Sequence, residues 1–123
     1  MEQGLIPNVW QALSSDSLTY RACRNRSERD KQAGRARTKL FYRRSDESGL
    51  SVGLTLARAA CIRHEGIFQL EVGDIRAHGA LHVAQDEEDH AEIQGMPVFQ
   101  EDEERALEIA GHLARHARPA VDL

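Results

Sequence analysis

ALHVAQDEEDHAEIQGMPVFQEDEERALEIAGHLARHAR, residues 80–118, carries the fold class in its two halves. Ala80-Leu81-His82-Val83-Ala84 and His90-Ala91-Glu92-Ile93-Gln94-Gly95 read as strands. The acidic run Gln85 to Asp89 reads as the solvated turn between them, and Pro97 closes the second. From Glu101 the period changes. Ala106, Leu107, Ala110, Leu113 and Ala117 recur at helical spacing, acids fill the first turn, Arg115, His116 and Arg118 the last, and Pro119 follows. Strands followed by an amphipathic helix place the chain in the α+β class.

Upstream the same alternation recurs. Leu18 to Cys23, Lys39 to Arg43, Leu50 to Leu54 and Ile67 to Val72 read as further strands. Thr55 is placed to cap a helix running to Arg63, and Gly73 to Gly79 reads as a single helical turn or wide loop. Ile6, Val9, Trp10 and Leu13 form the stripe of an N-terminal amphipathic helix. The expectation is one compact domain of 123 residues with a mixed or mainly antiparallel sheet and an amphipathic helix at each end.

Charge is divided along the chain. Arg21 to Arg44 holds ten Lys/Arg against Glu28 and Asp30, while Ser45 onward holds six Arg against sixteen Asp/Glu, so the net charge of −4 hides a segment of +8. Residues 24–38 contain no large apolar side chain and read as a basic loop or flexible arm. Arg24, Arg26, Arg29, Lys31, Arg35, Arg37, Lys39, Arg43 and Arg44 are therefore the candidate partner-binding residues. The partner they suit is a protein with an acidic surface; nucleic acid is the weaker reading, because overall charge is negative and aromatic residues are few. The N-terminus lacks a basic start and a long apolar core, and no stretch approaches the ~20 apolar residues of a membrane span. A soluble, cytoplasmic protein without membrane contact is expected.

The chemistry-bearing residues are scattered. His112 and His116 lie on one helix face, and His78, His82 and His90 are near in sequence, yet neither group has the spacing of a ligand set, so no metal or other cofactor is expected. Cys23 and Cys61 read as buried structural thiols. Gly49-Leu50-Ser51-Val52-Gly53 matches the letters of a nucleophile elbow in a chain too short for that fold. With no complete active site in view, the first expectation is a noncatalytic interaction or accessory module of a multiprotein bacterial system, docking through its basic segment.

Leu18-Thr19-Tyr20-Arg21, Phe41, Asp46 to Val52, Val72 to Arg76 and His90 to Pro97 together resemble a pattern in small bacterial proteins of uncharacterised function. The layout also resembles the catalytic core of ADP-ribosyltransferases. That resemblance implies an NAD-using enzyme or a degenerate relative, in which an early strand offers Arg21, a middle strand Ser51 and a late strand the catalytic Glu92. Glu92 stands without the Glu-x-Glu or Gln-x-Glu pair of that family, the Ser-Thr-Ser run is missing, and no aromatic is evident to pack the nicotinamide.

Overall fold

The computed structural model describes residues 13–122. The expected N-terminal helix falls almost wholly outside them. Six strands, β1 (Leu18–Ala22), β4 (Leu50–Gly53), β5 (Gly66–Glu71), β6 (His82–Glu87), β7 (His90–Gln94) and β8 (Arg118–Asp122), form one sheet in the order β6-β7-β4-β1-β5-β8. Every neighbouring pair in it is antiparallel. A second, two-stranded sheet joins β2 (Arg29–Asp30) to β3 (Arg35–Ala36). The helices are α1 (Leu56–Ala59), α2 (Val72–Arg76) and α3 (Glu103–His116). This is an α+β architecture with its longest helix near the C-terminus.

Strand alternation sets the core. Leu50 and Val52 of β4 stand opposite Ile93 and Ala91 of β7, and all four are buried, so this face of the sheet is continuous apolar surface. Across it lies α3, begun by the Asp102 carboxylate accepting from the Arg105 N–H at 3.1 Å. Its buried stripe is Ala106, Ile109, Ala110 and Leu113. Leu107, expected in that stripe, is 43% exposed, and Ile109 holds the place. The i, i+3, i+4, i+7 set points to one side only, which Leu107 lies off.

Four other expectations are corrected. Residues 39–43 do not form a strand: Thr38–Phe41 is a 3-10 turn. Leu40 and Phe41 are both buried, and a strand would have sent consecutive side chains to opposite faces. The Thr55 cap forms, its hydroxyl accepting from the Arg58 N–H at 3.1 Å, but α1 stops at Ala59 instead of Arg63 because Leu56 and Ile62 stay exposed and give the helix little to pack against. β6 extends through most of the expected acidic turn. β8 is a strand where the sequence pattern offers none; Pro119 hides it from propensity, yet an edge strand tolerates a residue without an N–H.

The basic segment 24–38 carries a 3-10 turn at Arg26–Glu28 and then the β2–β3 hairpin. Arg29 and Ala36 within it are buried. Gly34, at φ 65°, takes the left-handed turn position between the two strands. The Arg37 N–H donates to the Glu28 carbonyl at 2.9 Å and closes the segment on itself, while Ala36 joins the hydrophobic core of the domain.

Candidate functional site

The pairing of β1 with β4 is reduced to Tyr20 opposite Gly53. Where the two strands part, a cleft of about 490 Å³ opens. That register puts Tyr20, Gly53 and Ser51 on one face of the sheet, so Arg21 leaves β1 from the other. Its guanidinium turns into the opening. Nε donates to the Leu40 carbonyl at 2.7 Å and Nη1 to the Ser51 carbonyl at 2.8 Å, replacing ladder bonds that the parted strands do not make. Burial lowers the Arg21 pKa below its ordinary value, while Glu47 and Glu28 act in the opposite direction.

The cleft is cationic. Arg21, Arg24, Lys39, Arg43, Arg44 and Arg58 line it, against Glu28 and Glu47. Some of these cations are engaged. Arg43 donates from Nε to the Glu47 carbonyl at 2.6 Å and from Nη1 to the Met96 carbonyl at 2.9 Å, Lys39 donates to the Ser27 hydroxyl at 2.8 Å, and Arg58 meets Glu87 at 2.7 Å and Asp89 at 2.5 Å. Those two carboxylates raise the Arg58 pKa. Arg24 and Arg44 are exposed at the cleft, with Arg44 3.9 Å from Glu47 and 4.0 Å from Asp46, too loose for a strong pair.

One wall is aromatic. Tyr42 and Phe99 stack with ring centroids 4.1 Å apart and planes at 19°. Thr38 shares a hydrogen bond with the Tyr42 hydroxyl at 3.0 Å, and the Phe99 N–H donates to the Arg43 carbonyl at 3.0 Å, which holds Phe99 beside its partner. The aromatic surface that the sequence did not reveal is thus built from two distant segments.

The cleft floor carries a hydrogen-bonded chain. Ser51 Oγ contacts His90 Nε2, and His90 Nδ1 lies 2.6 Å from Asp86 Oδ1. Ser51 and His90 are diagonal neighbours on adjacent strands, since Gly53 stands opposite His90 and Ser51 opposite Glu92. Asp86 reaches the imidazole because β6 bulges there: Gln85 pairs with Ala91 and Glu87 with His90, which leaves Asp86 as the extra residue. With Nδ1 toward a carboxylate and Nε2 toward a hydroxyl, the imidazole is oriented to take a proton from the serine.

The residues singled out from sequence are placed unevenly. Arg21 and Ser51 line the cleft on neighbouring strands; Glu92 sits directly across from Ser51 on the next strand but does not line it. Its carboxylate accepts from the Ser48 hydroxyl at 2.9 Å and from Gln94 Nε2 at 2.8 Å. Of the nine candidate docking cations, Arg24, Lys39, Arg43 and Arg44 line the cleft. Arg26, Lys31 and Arg35 are exposed elsewhere, Arg29 is buried, and Arg37 donates from Nε to the Arg29 carbonyl at 3.0 Å. The nine therefore do not form one face.

Cys23 is buried as expected, while Cys61 is exposed and lines the cleft, since α1 ends before it can be turned inward. His112 and His116 do sit together, with ring centroids 4.7 Å apart; His112 Nε2 lies 2.7 Å from the Asp74 carbonyl, a packing contact between α3 and α2. Among the described residues no helix is long and apolar enough to cross a membrane. No family model matches this chain, and none of the curated proteins or solved structures compared with it matches either.

Proposed function

We propose that this protein binds an NAD-type nucleotide in the cleft between β1 and β4, as a relative of the ADP-ribosyltransferases in which Glu92 is withdrawn from the cleft. The observation that carries the reading is the cleft itself: cationic side chains and the stacked Tyr42–Phe99 pair share one cavity at the strands that bear Arg21 and Ser51. Its volume, about 490 Å³, lies in the range of small-molecule sites. Exposed Arg24 and Arg44 suit phosphate oxygens, and the aromatic wall suits a base or nicotinamide ring. β1, β4 and β7, which carry Arg21, Ser51 and Glu92, are consecutive neighbours in the sheet, and that adjacency supports the reading. Docking of an acidic protein through the basic segment has less support, because its cations are dispersed between the cleft, the interior and separate exposed positions.

Titration calorimetry of the full chain with NAD, ADP-ribose and AMP tests the reading. Binding should weaken as salt rises and should fall about tenfold in Tyr42→Ala, the loss of one stacking surface being worth roughly 1–3 kcal/mol. Absence of heat with all three ligands at millimolar concentration rejects it.

A further inference from the structure

We propose that Ser51 is a nucleophile, activated by His90 and Asp86, that attacks a phosphoester held in the cationic cleft. Two linked features carry this. The first is the chain from Ser51 Oγ to His90 Nε2 and from His90 Nδ1 to Asp86 Oδ1, which gives each group one role: nucleophile, base and orienting carboxylate. The second is the β6 bulge. A regular ladder would pair every residue of β6 with one of β7; the irregularity at Asp86 inserts one residue, and the carboxylate of that residue is the one that meets the imidazole. Bulges are concentrated beside active sites because they re-aim a side chain.

The electrophile follows from the surroundings. The Ser51 carbonyl accepts from Arg21 Nη1 at 2.8 Å, which sets a guanidinium beside the nucleophile, and further guanidinium groups line the same cavity. Cations stabilise charge on the equatorial oxygens of a phosphoryl group under attack. In the first step Ser51 Oγ bonds to phosphorus as the P–O bond to the leaving alcohol breaks; the serine proton passes to His90 Nε2 and on to the departing oxygen. In the second, water loses a proton to the same imidazole and bonds to phosphorus, Ser51 Oγ leaves and recovers that proton, and a phosphate monoester or free phosphate is released. The identity of the phosphoester as a nucleotide rests on the proposed function; the reactivity of Ser51 does not.

The full chain is treated with a phosphonofluoridate probe, which forms a serine–phosphorus bond and expels fluoride without nucleotide recognition, and the adduct is located by peptide mass mapping. One adduct, on Ser51, is expected. It should be absent in Ser51→Ala and form at least about a hundredfold more slowly in His90→Gln, with an intermediate loss in Asp86→Asn, given the usual worth of a general base. Circular dichroism confirms that each variant is folded, which the exposed position of Ser51 favours. No adduct on Ser51, or labelling that is indifferent to His90, overturns the proposal. Turnover of bis(p-nitrophenyl) phosphate by the unmodified protein supports the phosphoester, whereas turnover of p-nitrophenyl acetate alone overturns it. Protection from labelling by AMP or NAD ties the serine to the nucleotide; labelling without protection would fault the nucleotide reading and leave the nucleophile standing.

Discussion

Replacing Arg21 with methionine isolates what its guanidinium does. Methionine keeps much of the aliphatic stem but removes the donors to the Leu40 and Ser51 carbonyls, at 2.7 and 2.8 Å. A hydrogen bond from a charged group is worth about 1.5–3 kcal/mol when its acceptor is left without a partner. The Ser51 carbonyl borders the open cleft, where water can replace part of its bond, and the Arg21 charge no longer has to be desolvated. Taking one bond at full worth and discounting the other leaves a loss of about 2 kcal/mol. For a domain of this size that lowers the melting temperature by roughly 6–10 °C. Urea unfolding followed by circular dichroism measures it, with Arg21→Lys as control: a single ammonium cannot span both carbonyls and should recover less than half of the loss. A change below about 0.5 kcal/mol in Arg21→Met, within the range of an ordinary surface substitution, would refute the bridging role.

Burial pushes the Cys23 thiol up to about 12 from 9.0, with Glu28 adding to the shift, whereas Cys61 is exposed. Alkylation of the native protein at neutral pH should therefore modify Cys61 within minutes and Cys23 only on unfolding, as mass mapping would reveal. Because the unfolded thiol ionises first, the unfolded state holds fewer protons between pH 9.0 and about 12, and stability should fall across that window as pH rises. Cys23→Ala should flatten that part of the curve. Gly95 sits at φ 111°, and a Cβ there would come within 1.9 Å of the Ala80 carbonyl oxygen; Gly95→Ala should cost at least about 2 kcal/mol in denaturant unfolding. Leu113 is fully buried between α3 and the sheet, and Leu113→Ala should lower stability by about 2–5 kcal/mol, while the exposed Leu107→Ala should change it by less than about 0.5 kcal/mol.

Local periodicity made most of the frame readable. α3 announces itself through a 3.6-residue repeat that begins after Glu101 and ends before Pro119, and β1, β4, β5 and β7 through alternation. What failed were places where a tertiary requirement overrides the local pattern. Leu40 and Phe41 look like strand residues but are both needed inside, and a tight turn satisfies that. β8 is stabilised by its neighbour β5 despite Pro119. The site divides in the same way. Arg21 and Ser51 stood out as single residues, but the link from Ser51 to His90 depends on which strands lie side by side, and the link to Asp86 on a register irregularity. Tyr42 and Phe99 likewise meet only because Arg43 bridges to Val98 in parallel.

The two outer strands of the large sheet end its hydrogen bonding in different ways. On one side β6 presents Asp86 and Glu87, both exposed; on the other, β8 contains Pro119, which has no amide hydrogen to offer. An incoming strand would face negative charge at the first border and a missing donor at the second. Concentrated solutions of this protein should thus resist growth into sheet-extended aggregates, and contacts between copies, where they form, should use faces or helices in preference to either border.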